Sequence, residues 1–272
     1  MGRTQPMSTS ESLAPPAAPP PLPAAAPGRP PRVWKFWATL GWSLLLYLAM
    51  TAAAAIGIVL AVNWYGIDIG AATDKGAFLN NGIVVAATSM SGTLPVLLVI
   101  WLAVKLARQS PADYLALRLP SLRHACIGLG GIVLLMVVID ATSKLSGRPV
   151  VPQVLIDGVR SASEHHALGF FTLALVVTAP ITEEIAFRGF IFRGFAASRL
   201  GIIGAVIVSS LIFAGIHVQY DLITLAGVLA TALLLGFMRA ISGSTLLTIA
   251  MHALNNLVVL VEMLWFAGMF ST

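Results

Sequence analysis

The sequence has little charge and almost no cysteine. Of its 272 residues, 10% are charged and 58% are apolar, whereas an ordinary soluble domain carries about 25% charged residues. A soluble globule of this size could not cover its surface with so few charges. Because Cys126 is the single cysteine, an internal disulfide and a cysteine metal cluster are both excluded.

What the sequence does contain is long apolar runs. A membrane-spanning helix needs about 20 apolar residues to cross about 30 Å of hydrocarbon. Seven runs approach that length, near residues 38–62, 83–104, 125–141, 168–190, 200–219, 222–241 and 245–268. A β-barrel is disfavoured because its strands would alternate polar and apolar residues. The sequence therefore predicts an all-α polytopic membrane protein with about seven transmembrane helices and a core helical bundle that carries the site.

Composition divides the chain into three parts. Residues 1–32 are rich in proline and alanine and predict a disordered tail. Residues 33–166 hold the N-terminal transmembrane helices and their loops, and residues 167–270 hold the helical core. The formal net charge of +5 does not indicate nucleic acid, because the basic residues flank the apolar runs. We expect a multi-pass protein of the bacterial cytoplasmic membrane. The excess of basic residues in alternate loops predicts that its N-terminus lies inside and, given seven spans, its C-terminus outside.

Ionisable residues inside apolar runs are costly, so each is a candidate functional residue. Three of them, Asp140, Asp221 and Glu262, lie near the ends of runs and are expected to be boundary residues that water can reach. Apart from Arg193, the other candidates fall into three short stretches of the last four runs, at residues 180–188, 213–217 and 252–256.

The first stretch predicts an ion pair and an unpaired carboxylate. Glu184 and Arg188 are four residues apart, in the order that favours a pair on one helix face. Glu183 then has no local partner, and a buried carboxylate without one needs a distant cation, a metal or a raised pKa that makes it a usable base. Pro180 removes one helical hydrogen bond and exposes a carbonyl one turn earlier.

Depth along the helices predicts which stretches meet. If the chain turns near Leu200, Glu183 and His217 are each 17 residues from the turn and lie at similar depths of about 25 Å. His252 lies about 13 Å from its own turn near residue 243, so its approach to His217 requires tilt or a broken helix. His252 and Asn256 are four residues apart and share a face.

The three stretches read Glu183-Glu184-Ile-Ala-Phe-Arg188, Phe213-Ala-Gly-Ile-His217 and His252-Ala-Leu-Asn-Asn256. They resemble the CPBP family, the CAAX protease and bacteriocin-processing (Abi) intramembrane endopeptidases. The pattern of that family is Glu-Glu-x-x-x-Arg, Phe-x-x-x-His and His-x-x-x-Asn on successive helices. All three motifs match in order, and the resemblance covers roughly residues 168–260. It implies an endopeptidase that hydrolyses a peptide bond of a membrane-associated protein or peptide, within or beside the lipid bilayer.

Two versions of the chemistry are open. In the glutamate version, which needs no cofactor, Glu183 is the general base and His217 positions or polarises the water, while His252 and Asn256 donate hydrogen bonds to the oxyanion. The supporting residues are Glu184, Arg188 and Phe213.

In the metal version, Glu183, His217 and His252 ligate Zn²⁺ and leave one position for water, and Glu184 serves as the base. The glutamate version is favoured because no His-Glu-x-x-His spacing preorganises a zinc site.

Two other functions remain open at this stage. A non-catalytic membrane scaffold or bacteriocin-immunity-type protein would keep the same fold and bind or protect other proteins. A transporter or proton channel would also place carboxylates and histidines inside helices. It would spread them along a path, however, whereas here they are concentrated in three motifs.

Overall fold

The fold is built from helices, and the computed structural model describes it over residues 1–2, 31–67, 81–217 and 219–270. In chain order these ranges contain α1 (Phe36–Tyr65), α2 (Gly82–Leu106), α3 (Pro111–Tyr114), α4 (Leu122–Leu145), α5 (Gln153–Glu164), α6 (Leu168–Ala196), α7 (Gly201–Gly215), α8 (Leu222–Ser242) and α9 (Thr245–Phe266). The same ranges contain no strand. Most of the predicted disordered tail, residues 3–30, lies outside the described residues.

Six of these helices are long and apolar enough to cross a membrane: α1, α2, α4, α6, α8 and α9. The structure shortens the predicted fifth span, 200–219, to the 15 residues of α7, which rise only about 22 Å. The apolar run ends early because His217, Gln219 and Asp221 carry the chain into a polar turn before α8. The chain is an all-α polytopic membrane protein, as predicted, with six candidate spans and one shorter apolar helix.

Helix α6 changes from the α to the π hydrogen-bond register at two places along its length. It contains two π-helical segments, Ala174–Thr178 and Ile185–Ile191, on either side of the α-helical segment Ala179–Glu184. In π register a carbonyl accepts from the N–H five residues later. The acceptor that Pro180 would serve is therefore Leu175, and proline has no N–H to donate. This is the carbonyl that the sequence predicts Pro180 to expose, and it is free for a partner from another helix.

Two elements were not expected from the sequence, the short helix α3 and the amphipathic helix α5. Helix α5 lies against the start of α2 so closely that a Cβ added to Gly82 would be 2.0 Å from the carbonyl oxygen of Gly158. Only glycine allows that approach. The sequence does not predict helix α5 as a span, because the helix is too polar to form an apolar run.

The turn between α7 and α8 is held by Asp221, the N-cap of α8. Its Oδ1 accepts hydrogen bonds from the backbone N–H of Ile223 at 3.0 Å and of Thr224 at 2.9 Å, and its Oδ2 pairs with Arg148. The Thr224 hydrogen bonds and the Arg148 charge lower the pKa of this exposed carboxyl. Asp221 is thus a boundary residue, as predicted.

The motif-bearing helices are packed together. Helix α9 contacts α4, α8 and α6, and α7 packs along α8. Helix α1 lies along α2 and also reaches the end of α6, where a Cβ on Gly194 would be 1.9 Å from Thr39 Oγ1. These contacts bring the middle of α6, the end of α7 and the middle of α9 to one place.

Candidate active site

Glu184 and Arg188 form the ion pair that their spacing predicts. Arg188 Nη1 donates to Glu184 Oε1 at 2.8 Å, and the two side chains are 1% and 0% exposed. The other terminal nitrogen, Nη2, donates to the carbonyl of Ala232 on α8 at 3.0 Å. In such a buried pair each charge depends on its partner, because removal of one leaves the other without compensation. The pair therefore fixes the middle of α6 against α8.

His252 is anchored on this pair from the opposite helix. Its Nδ1 lies 2.9 Å from Glu184 Oε1, the oxygen that also accepts from Arg188. Because Oε1 acts as an acceptor in both contacts, Nδ1 carries the hydrogen. The other ring nitrogen, Nε2, is left for a different partner, so the buried ion pair orients the imidazole.

Glu183 lies on a different face from Glu184. Its side chain is 30% exposed, and its Oε2 is 3.9 Å from Nε2 of His252. That distance is too long for a direct hydrogen bond, and it leaves room for one water that contacts both atoms. Of the two adjacent carboxylates, Glu183 is therefore the one that a substrate or a water can reach.

Phe213 joins the three motifs through its ring. The ring centroid lies 4.8 Å from that of His217 and 5.9 Å from that of His252, and Cζ of Arg188 lies 4.7 Å from it. The carbonyl of Phe213 also accepts from Nδ1 of His217 at 2.8 Å. The two imidazoles therefore flank one aromatic ring, although their depths on separate helices had made this approach uncertain.

Asn256 donates a hydrogen bond to the carbonyl that Pro180 leaves without a donor in its own helix. Its Nδ2 donates to the Leu175 carbonyl at 2.9 Å, and its Oδ1 accepts from Asn255 Nδ2 at 3.1 Å. One amide hydrogen of Asn256 thus links α9 to the π segment of α6. Nδ2 of Asn256 makes no other hydrogen bond to the described residues, so its second hydrogen has no partner among them.

We expect Asn256→Ala to destabilise the protein by about 1–3 kcal/mol, because the Leu175 carbonyl then has no donor. The measurement is thermal unfolding of the purified protein in one detergent. Asn255→Ala is the matched control, because Asn255 donates only to the side chain of Asn256 and not to the backbone. Equal melting temperatures for the two variants would contradict this role.

Tyr220 is a residue of this region that the sequence did not indicate. Its ring is stacked on that of His217, with centroids 6.1 Å apart and planes at 14°. Burial raises the pKa of Tyr220, and the nearby Glu183 charge raises it further, so the hydroxyl stays protonated and can donate. Tyr220 could not be identified from the sequence because it lies after the helical part of the 213–217 motif, where residue spacing does not predict contacts. Asp140 and Glu262, in contrast, lie near the C-terminal ends of α4 and α9.

A metal site is not evident in the arrangement. Within the described ranges, no group of three or more His, Cys, Asp or Glu side chains is arranged to hold a metal ion. Both His217 and His252 nevertheless use Nδ1 for an anchoring hydrogen bond, which is also how metal-binding histidines are oriented. The zinc version stays a prediction.

Comparison with known proteins gives one match. A family model described as Rce1-like, type II CAAX prenyl endopeptidase Rce1-like, matches residues 166–258. Neither the curated proteins nor the solved structures contain a match to the chain. The matched range includes α6, α7, α8 and most of α9, and with them all three motifs. Residues 166–258 thus match an Rce1-like domain, in agreement with the resemblance to the CPBP/CAAX protease family, and this match supports a function as an intramembrane endopeptidase.

Proposed function

We propose that the chain hydrolyses a peptide bond in a membrane-associated protein or peptide, and that Glu183 activates the attacking water. One observation carries this proposal. The partly exposed Glu183 carboxylate faces Nε2 of His252 at 3.9 Å, while Nδ1 of the same imidazole is held by the buried Glu184. A reachable base beside an oriented imidazole is the arrangement that general-base hydrolysis needs.

In the proposed reaction a water lies against Glu183 Oε2. His217 accepts one water hydrogen at Nε2, because its Nδ1 hydrogen is already donated to the Phe213 carbonyl. Glu183 takes the other proton as the water oxygen forms a bond to the peptide carbonyl carbon. The proton then passes from Glu183 to the peptide nitrogen as the C–N bond breaks, giving a carboxylic acid and an amine. No atom is left over, and Glu183 returns as a carboxylate.

The negative oxygen of the tetrahedral intermediate needs hydrogen-bond donors. We assign His252 Nε2 and the second amide hydrogen of Asn256 to this role. Because Nδ1 of His252 carries a hydrogen already, Nε2 can donate only when the ring holds both protons. Glu183 Oε2 lies 3.9 Å from Nε2 of this ring, and Glu184 Oε1 lies 2.9 Å from Nδ1.

Zinc held by Glu183, His217 and His252 is the alternative version of the same hydrolysis. A zinc ion held there would polarise the attacking water. Metal analysis of purified, active protein distinguishes the two. Full activity with far less than one metal ion per chain supports the glutamate version. Stoichiometric bound zinc, together with loss of activity when that zinc is removed, supports the zinc version instead.

The experiment that tests the function compares the termini of membrane proteins in cells that produce the wild-type chain, Glu183→Gln or Glu164→Gln at matched levels. Glu164 is exposed at the end of α5, so Glu164→Gln makes the same chemical change far from the motifs. New termini are expected with the wild type and with Glu164→Gln and are expected to vanish with Glu183→Gln.

The outcomes separate the peptidase from the scaffold. Termini that depend on Glu183 also identify the substrates and the cleaved bonds. Identical termini in all three strains, together with a cellular phenotype that survives Glu183→Gln, would overturn the peptidase proposal and favour the non-catalytic membrane scaffold.

A further inference from the structure

Three arginines gather where α6 and α8 end and α9 begins. We call Arg118, Arg193 and Arg239 the arginine cluster. Arg118 Nε donates to the carbonyl of Gly243 at 3.0 Å, and the N–H of Gly243 donates to the carbonyl of Arg239 at 3.1 Å. Cζ of Arg239 lies 5.2 Å from the ring centroid of Phe192, the residue before Arg193. The three cations therefore share one region.

Within the described ranges, no carboxylate forms an ion pair with these cations. The ion pairs formed among the described residues involve Arg148, Arg188 and His252, and none includes a member of the arginine cluster. Arg193 lies over the ring of Tyr114, with Cζ 5.3 Å from the centroid. Burial raises the pKa of Tyr114 to about 12, so that ring supplies no negative charge.

The cluster also has hydrogen-bond donors without acceptors. Arg239 is 6% exposed, yet its bonds to described residues come from Nε alone, to the Arg188 carbonyl at 3.0 Å and to Thr245 Oγ1 at 3.1 Å. Nε of Arg193 is buried and has no partner in the described part of the chain. Its Nη contacts, to Asp113 and Gln109, are both 3.5 Å long. A buried donor without a partner, such as Nε of Arg193, is rare and calls for a ligand or another explanation.

We propose that the arginine cluster binds a phosphate group, that of an anionic phospholipid headgroup. Guanidinium groups bind phosphate oxygens through paired, charge-assisted hydrogen bonds. The cluster lies at the ends of membrane-spanning helices, where headgroups lie, and basic pockets between such helices bind anionic headgroups. Arginines that only orient the chain in the membrane can stay exposed to water, whereas Arg239 is buried, with 6% of its surface exposed.

Neighbouring apolar side chains fit the rest of a lipid. Leu119 and Leu122 follow Arg118 in the chain and are 85% and 80% exposed, so they can contact acyl chains while the arginines hold the phosphate. The sequence predicts that this end of the bundle faces the inside, and the cytoplasmic leaflet is the one that carries anionic lipids.

The test is a titration of the purified full-length protein with phosphatidylglycerol and, separately, with the zwitterionic phosphatidylcholine, read by native mass spectrometry. Each arginine near an anionic headgroup contributes about fivefold to affinity. The double variant Arg118→Gln/Arg193→Gln is therefore expected to bind phosphatidylglycerol about thirtyfold more weakly than the wild type. Arg118→Gln alone, at an exposed position, is expected to lose about fivefold and serves if the double variant does not fold.

Arg123→Gln is the matched control, because Arg123 is exposed in the first turn of α4 and removes the same charge outside the arginine cluster. A further titration with inorganic phosphate distinguishes a lipid headgroup from free phosphate as the source of the bound phosphate group. Displacement of phosphatidylglycerol by millimolar phosphate would assign the site to the free anion instead of the lipid. Equal binding of phosphatidylglycerol to the wild type and to the cluster variants, or equal binding of the two lipids, would overturn the proposal.

Discussion

Glu183→Gln is expected to lower the rate of peptide hydrolysis on the order of 10³-fold, because the amide cannot take the proton of the attacking water. The side chain is partly exposed, with Oε2 3.9 Å from His252 Nε2, so the substitution changes little packing. The melting temperature should stay within a few degrees of the wild-type value. The measurement is kcat for a peptide that carries a bond cleaved in cells, with the protein in one defined detergent or lipid.

Two further variants sharpen this prediction. Glu183→Asp keeps a carboxylate but withdraws it by one methylene, and we expect it to retain more activity than Glu183→Gln. Glu164→Gln should match the wild type. A Glu183→Gln protein that cleaves within threefold of the wild-type rate would show that another group activates the water.

Arg188→Met is expected to destabilise the folded protein by about 3–5 kcal/mol, because it leaves the carboxylate of Glu184 buried without its cation. Glu184 is 0% exposed, and when Arg188 is absent it retains the His252 contact but has no permanent positive charge beside it. The loss should appear as a lower free energy of unfolding of the purified protein. Activity should fall as well, because the ion pair orients His252.

The double variant Glu184→Gln/Arg188→Met removes both charges and is expected to recover part of that loss, since no uncompensated charge remains. Arg160→Met is the control for the loss of an arginine, because Arg160 is exposed on α5, and its effect should stay within about 0.5 kcal/mol. If Arg188→Met were no more destabilising than Arg160→Met, the buried pair would not have the role assigned to it.

Features that depend on neighbours in the chain could be predicted from the sequence. The apolar runs predict the spans because the requirement to cross hydrocarbon is a matter of length and composition. The Glu184–Arg188 pair follows from four-residue spacing on a helix. The free carbonyl before Pro180 follows from the missing N–H of proline. The three motifs also predict the family, because each is a pattern within a single helix or its end.

The tertiary structure decided how the helices meet, since contacts between distant segments depend on packing that no local pattern encodes. Only the fold shows that Phe213 lies between both imidazoles, that Glu184 anchors His252 by Nδ1, and that Asn256 reaches Leu175. It also ended α7 at Gly215 and brought together the arginine cluster from three separate elements. The sequence by itself determined a polytopic helical protein with peptidase motifs. Helix packing determined which carboxylate water can reach, because burial is a property of the assembled bundle.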